Sequence, residues 1–190
     1  MDEEWSTLER NQTWDSTDPG RLPSGRQPIR TKWVFKRKLH ADGSVARYKA
    51  RLVAQGFSQV EGEYFFETSA PVARMSTLRT VFSSAAEHDF ELVGMDVDAA
   101  YLNAPAEEEL YVSLPSDFAP HSNSKPFVRC LRRSLYGLKQ SGKNWYNSLD
   151  GFLTTMPDIQ LTRSDVDPCL YVSSDEGGET DLLVACTLTI

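Results

Sequence analysis

The chain has 190 residues, of which 40% are hydrophobic and 25% charged, and its 20 Lys and Arg against 27 Asp and Glu give a net charge of −7. This length predicts one domain or a fragment of a larger one, and the composition is that of a globular rather than a disordered protein. No apolar run approaches the roughly 18 residues of a membrane span, so no span is expected. Three cysteines without a C-x-x-C pair predict free thiols and argue against a disulfide framework or a zinc knuckle.

The first part of the chain predicts a helix, a loop and a β-hairpin. Residues 1–12 favour a short helix, and the prolines and glycines of residues 15–28 are typical of a loop. Thr31–Leu39 and Val45–Ala54 are rich in β-forming residues and flank the turn sequence Ala41–Ser44, so a hairpin is expected. Three cations alternate along its second strand and therefore share one face: Arg47, Lys49 and Arg51.

The rest of the chain predicts a mixture of helices and strands. Apolar residues at helical spacing predict helices over residues 74–88 and through Trp145–Met156. Strands are expected at four places, the first of them buried and ending at Asp96: Glu91–Val97, Phe127–Leu131, Cys169–Ser173 and Leu182–Ile190, the last two paired around the turn 175–178. Hairpins and helices without strict βαβ alternation favour the α+β class.

The charges are segregated along the chain. Residues 30–51 carry eight Lys and Arg and one Asp, residues 80–118 carry nine acids and no Lys or Arg, and residues 125–143 carry six basic residues and no acid. This order suits an acidic metal centre between surfaces that bind phosphates. The alternative interpretation is that the charged residues lie on solvated surfaces and are clustered by chance, and it explains the charge pattern equally well.

Three segments carry residues suited to nucleotide chemistry. Asp96 ends an apolar strand, where a carboxylate can bind Mg²⁺ or simply cap the next turn. Gly137, with Lys139 and Gln140 beside it, precedes a helix in an arrangement that suits phosphate contact, although an ordinary helix start has the same pattern. The cations on the hairpin strand could bind a triphosphate, or could protect a sheet edge from aggregation.

The order of the motifs is far more specific than any one of them. The chain contains KWVFK at 32–36, YKARLVAQGF at 48–57, ETSAPVAR at 67–74, the Asp96 segment, LYGLKQSGKNWY at 135–146 and DPCLYV at 167–172. Together these segments closely resemble the reverse transcriptase of copia-type LTR retrotransposons, from about residue 3 to about residue 184.

The resemblance implies an RNA-directed DNA polymerase fold and a set of site residues. The implied fold is the fingers and part of the palm of a right-hand polymerase, with a basic β-hairpin and an antiparallel palm sheet flanked by helices. Asp96 resembles the first catalytic carboxylate and a Mg²⁺ ligand, together with the backbone carbonyl of Val97. Tyr101 resembles the aromatic gate that excludes a 2′-hydroxyl. The remaining implied residues contact the triphosphate, the incoming nucleotide or the template: Lys36 or Lys38, Lys49, Arg51, Gly137, Lys139 and Gln140.

The resemblance also implies partners and a domain division. Residues 1–190 would be a single truncated reverse transcriptase domain, with the preamble and fingers at about 1–73 and a partial palm with returning fingers elements at about 74–190. The implied partners are an RNA or DNA template–primer, a dNTP and the rest of a Pol polyprotein, including the remaining palm, RNase H and integrase. The implied location is cytoplasmic, in a virus-like particle, with no membrane partner.

The chain departs from the family where a second catalytic motif is expected. The family has Tyr-Val-Asp-Asp after an apolar strand, whereas here Asp181–Val184 is followed by Ala-Cys-Thr-Leu-Thr-Ile, and no Asp or Glu follows Asp181. Two divalent ions about 3.5–4 Å apart repel strongly, and one carboxylate cannot neutralise them. We therefore predict that this chain by itself does not polymerise DNA, and a non-catalytic nucleic-acid-binding module is the alternative function.

Overall fold

The computed structural model describes residues 1–15, 22, 25–115, 128–157, 159–174 and 180–187. It confirms the α+β class and divides the chain between two compact units. The first unit comprises Met1–Thr68 and Ala99–Trp145, and the second comprises Ser69–Asp98 and Tyr146–Ile190. The assignment of fingers and palm to parts of the chain stays a prediction.

Most of the predicted helices and strands are present in the structure. The helices are α1 (Asp2–Arg10), α2 (Met75–His88), α3 (Ala100–Asn103) and α4 (Ser141–Thr154). The strands are β1 (Ile29–Leu39), β2 (Val45–Ala54), β3 (Tyr111–Ser113), β4 (Val128–Cys130), β5 (Thr162–Arg163), β6 (Leu170–Ser174) and β7 (Thr180–Ala185). The short elements α3, β3 and β5 were not predicted from the sequence. Most of the predicted loop at 15–28, the turn at 175–178 and residues 188–190 lie outside the described residues.

The first unit is built on a mixed four-stranded sheet in the order β2-β1-β3-β4. The antiparallel pairing of β1 with β2 confirms the predicted hairpin. On its other side β1 pairs with β3 in parallel. Gly43 makes the hairpin turn with a φ of +84°, a backbone conformation that glycine adopts without steric cost. Asp42 stabilises the turn because its Oδ1 accepts a hydrogen bond of 2.9 Å from the Ser44 N–H.

The hairpin has one face that enters the core and one that is basic. Trp33 lies opposite Leu52 in the register, and Leu52 is fully buried against Leu8 of α1 and the other core residues of the first unit. Directly opposed residues of an antiparallel pair share a face, and faces alternate along a strand. The register Lys36↔Lys49 and Lys38↔Arg47 therefore gathers the cations on the face turned away from the core.

Helix α1 and a later loop together occupy the outer edge of β2. The Leu52 N–H donates to Glu4 Oε1 at 3.3 Å, and the Ala54 N–H donates to the Tyr136 carbonyl at 2.7 Å. These hydrogen bonds satisfy backbone N–H groups that, at an open sheet edge, would be free to pair with a strand of another molecule. The edge contact also brings the LYGLKQ segment beside the basic hairpin, which the sequence alone did not indicate.

The second unit packs helices against the antiparallel sheet β5-β6-β7. Its core contains Leu153, Leu161 and Tyr171, all at most 8% exposed. The start of α2 is fixed by Asp167 of the DPCLYV motif, whose Oδ2 accepts hydrogen bonds from the Arg74 N–H at 3.0 Å and from Thr77 Oγ1 at 2.5 Å. This buried carboxylate therefore acts as a helix cap supplied by a distant segment of the chain.

The predicted buried strand at Glu91–Val97 is wrong. The structure gives these residues no strand, and their side chains are exposed, with Val93 at 71% and Met95 at 85%. A strand forms only when its backbone N–H and C=O groups pair with a neighbour. The described sheet of the second unit pairs β5, β6 and β7 with one another and does not include this segment. The apolar sequence is that of a strand, but the pairing that would order it is not formed.

Candidate functional site

A basic face on the hairpin gathers four of the residues predicted to contact phosphates. Lys36, Lys38, Lys49 and Arg51 share the face turned away from the core, together with Arg47. Burial lowers the pKa of the Lys49 amino group, and the positive charges of Arg51 and Lys38 lower it further. Clustered positive charges favour binding of an anion, which would offset their mutual repulsion.

The basic face continues into two tyrosines whose rings are in contact at an interplanar angle of 53°. The Arg51 guanidinium lies over the ring of Tyr136, with 4.8 Å from Cζ to the ring centroid, and the Tyr136 and Tyr101 rings lie 5.3 Å apart. Burial raises the pKa of the Tyr101 hydroxyl, while the charge of Arg51 acts in the opposite direction. A cation held over an aromatic face loses freedom of movement and stays available for a phosphate on its other side. Arg51 and Tyr101 are therefore joined through Tyr136.

Two glycines allow the backbones of two motifs to cross almost in contact. A Cβ placed on Gly137 would lie 2.2 Å from the Ala54 carbonyl oxygen, and a Cβ placed on Gly56 would lie 2.1 Å from the Gly137 carbonyl oxygen. Gly137 also has a φ of +89°, which disfavours any other residue. This crossing joins the end of YKARLVAQGF to the start of LYGLKQ and fixes Tyr136 beside Arg51.

Gln140 is buried, whereas Lys139 is exposed but still bonds to a neighbouring segment of the chain. The Gln140 side chain is only 1% exposed; its Nε2 donates to the Tyr64 carbonyl at 2.9 Å and to Glu108 Oε2 at 3.1 Å. Lys139 Nζ lies 4.7 Å from the centroid of the Phe65 ring and donates to the Gln59 carbonyl at 3.2 Å. Both side chains hold the turn in place, so a direct contact of Gln140 with a nucleotide would require these hydrogen bonds to break.

Asp96 and Val97 belong to the other unit and form no metal site within the described residues. Asp96 is exposed on the irregular segment that follows α2. Among the residues that the structure describes, no group of three or more His, Cys, Asp and Glu side chains could hold a metal ion. Mg²⁺ requires several hard oxygen ligands at once. The described residues therefore do not by themselves form the two-metal centre that the resemblance implies.

Comparison with known proteins gives the family of the chain. The family described as "Reverse transcriptase (RNA-dependent DNA polymerase)" matches residues 11–188, so the chain belongs to this family. The Pol polyprotein of transposon TNT 1-94 from Nicotiana tabacum is 41% identical over 171 residues, and that of transposon RE1 from Arabidopsis thaliana is 36% identical over 163 residues. The resemblance to copia-type elements is thereby confirmed.

These relatives are much longer than the chain. The matches cover 90% and 85% of this chain but only 12% and 11% of the two polyproteins. A shorter relative, described as the uncharacterized mitochondrial protein AtMg00820 of Arabidopsis thaliana, is 51% identical over 85 residues, which is 45% of this chain and 48% of that protein. No solved structure matches the chain. In the described part of the chain, no helix is long and apolar enough to cross a membrane.

Sequence reasoning did not give Gln59, Gly56 and Asp167 the roles that the structure gives them. Each is defined by a contact with a segment far away in the chain, so no periodicity or local spacing marks it. Gly56 and Asp167 lie inside the motifs that carry the family resemblance, which was the available signal. Gln59 lies just outside them, two residues past Phe57.

Proposed function

We propose that this chain supplies the nucleotide- and template-binding surface of an RNA-directed DNA polymerase and does not polymerise DNA by itself. The observation that carries the proposal is the basic face of the hairpin, which continues through Arg51 into the adjacent rings of Tyr136 and Tyr101. Clustered cations bind a polyphosphate or a nucleic-acid backbone, and aromatic rings beside them suit a sugar or base.

The proposed contacts follow from the geometry. Lys49 and Arg51, with Lys36 and Lys38 from the facing strand, bind the triphosphate or the template backbone. Tyr101 lies beside Tyr136 at the end of this surface, where a bulky ring can exclude a 2′-hydroxyl. Gly137, Lys139 and Gln140 act indirectly, because they hold the turn that carries Tyr136. In this proposal the first unit corresponds to the fingers with adjoining palm elements.

The chemistry of bond formation is not assigned to this chain alone. Asp96 is proposed as a metal ligand only when further carboxylates are supplied, since one exposed carboxylate is too little for two divalent ions. The chain is therefore expected to bind template–primer and dNTP and to give no primer extension in the presence of Mg²⁺. Extension by the purified chain would refute this part of the proposal.

The binding proposal is tested with a matched pair of arginines. Arg51 lies on the basic face, whereas Arg79 is exposed on α2 in the second unit. We expect Arg51→Ala to weaken the affinity for fluorescently labelled dTTP by about tenfold, as loss of a charge-assisted contact of about 1.4 kcal/mol predicts. Arg79→Ala should leave it unchanged. Equal effects of the two variants would show that binding depends on overall charge and not on this surface.

A further inference from the structure

Gln59 joins the two motifs that cross at the glycines. Its side chain is buried at 4% exposure; Nε2 donates to Gln140 Oε1 at 3.0 Å, and Oε1 accepts from the Lys139 N–H at 2.9 Å. Its backbone carbonyl accepts the hydrogen bond from Lys139 Nζ described above. One residue therefore holds both the backbone and the side chains of the turn at 137–140.

The orientation of the two amides is fixed by the bonds around them. Gln140 Nε2 already donates to the Tyr64 carbonyl and to Glu108, so only its Oε1 is turned toward Gln59. Gln59 must then present its NH₂ group to Gln140 and its oxygen to the Lys139 N–H. Ionised Glu lacks the donor that Gln140 needs, and Met has no donor and only a weakly accepting sulfur, so neither can reproduce both hydrogen bonds.

The turn at 137–140 connects the Gln59–Gln140 pair to the binding surface. The turn that it holds begins at Gly137, next to Tyr136, whose carbonyl accepts from the Ala54 N–H and whose ring supports Arg51. If the turn shifts, the Tyr136 ring shifts with it, and the guanidinium above the ring loses its fixed position. Gln59 itself does not lie on the basic face.

We propose that Gln59 is a positioning residue: its amide holds the turn at 137–140 and thereby directs Arg51 toward the triphosphate. This inference rests on the proposed function and adds a residue that contacts no ligand. A positioning residue lowers affinity when it is changed, but only through the group that it positions. Its effect must therefore disappear when Arg51 is already removed.

A double-mutant cycle with labelled dTTP as the probe tests this dependence. Gln59→Met keeps the side-chain volume and removes both hydrogen bonds of the side-chain amide. Gln59→Glu keeps an oxygen that can accept from the Lys139 N–H but loses the donor to Gln140. We expect each variant to weaken dTTP binding about three- to tenfold, and to have no further effect in the Arg51→Ala background. Gln55→Met, on the same segment, is the control and should bind as the wild type does. Circular dichroism and a melting curve establish that each variant is folded.

The outcomes separate this inference from the proposed function. If Arg51→Ala leaves dTTP affinity unchanged, the proposed function fails. If Arg51→Ala weakens binding but the Gln59 variants do not, or if their effect persists fully in the Arg51→Ala background, only the role of Gln59 is refuted. If neither Gln59 variant folds, Gln59 is a structural residue and the inference is also refuted.

Discussion

Replacing Gly137 with alanine should be the most damaging single-methyl change in the first unit. At a φ of +89° the added Cβ costs about 1–2 kcal/mol in backbone strain. The same Cβ would lie 2.2 Å from the Ala54 carbonyl oxygen and 2.6 Å from Val53 Cγ1, and relieving this overlap costs about 1–3 kcal/mol. If the backbones separate, the bond from the Ala54 N–H to Tyr136 is lost, at about 0.5–1.5 kcal/mol.

Two other glycines allow the backbone strain and the steric overlap to be measured separately. Gly43 has a φ of +84° but nothing within 4 Å of its Cβ position, so Gly43→Ala should cost about 1–2 kcal/mol from strain alone. Gly56 has the overlap without the positive φ, so Gly56→Ala should cost about 1–3 kcal/mol, or more if the crossing opens. Gly137→Ala should cost about 2.5–6.5 kcal/mol in total, which is a large part of a typical stability of about 5–15 kcal/mol.

Urea unfolding followed by tryptophan fluorescence measures these differences. The four tryptophans, at positions 5, 14, 33 and 145, all belong to the first unit, so the signal reports on the unit that contains the three glycines. The midpoint should fall in the order Gly43→Ala, Gly56→Ala, Gly137→Ala, with the last the lowest. If Gly137→Ala were no more damaging than Gly43→Ala, the close crossing of the two motifs would be refuted.

Three further changes test other parts of the structure. Lys49→Met should raise the melting temperature slightly, because it removes a charge that is partly desolvated and repelled by its neighbours. It should also weaken tripolyphosphate binding in a titration, and unchanged binding would remove Lys49 from the site. Burial raises the pKa of Asp167, but hydrogen bonds from Thr77 and the backbone outweigh this effect and set the pKa below the usual value. The carboxylate therefore stabilises the fold fully above its unfolded-state pKa, and this stabilisation is lost as the pH falls through the folded-state pKa. Asp167→Asn should therefore lower stability at pH 7 by about 1–3 kcal/mol and flatten the acid limb of a melting-temperature profile, and a parallel profile would contradict the capping role. Tyr101→Ala should bring the affinities for labelled UTP and dTTP closer together, and unchanged discrimination would exclude the gate role.

The sequence predicted the elements of the fold well where the signal is local. The hairpin followed from two β-rich segments around the turn at Asp42–Gly43, and α2 followed from apolar residues at helical spacing. Both patterns are determined by neighbours along the chain. The segment Glu91–Val97 shows the limit of such reasoning, because an apolar run typical of a strand pairs with none of the strands that the structure describes.

The candidate site was predictable in its charged part and not in its buried part. The alternation of Lys49 and Arg51, together with the register of a hairpin, is enough to predict a basic face. The stacking of Arg51 on Tyr136 depends on a backbone crossing between segments about 80 residues apart, which is visible only in three dimensions. Gln140 was expected to contact a nucleotide, whereas its hydrogen bonds are directed into the interior; no sequence pattern distinguishes these two uses of a glutamine.

The most direct test of the account is the salt dependence of template–primer binding. Each phosphate contact contributes about 0.9 to the slope of log affinity against log salt for a duplex. The wild-type chain should therefore show a steep slope, and replacing Lys36, Lys38, Lys49 and Arg51 with alanine should reduce its magnitude by about 3 to 4. A variant that keeps the wild-type slope and affinity would contradict the claim that this face of the hairpin binds nucleic acid.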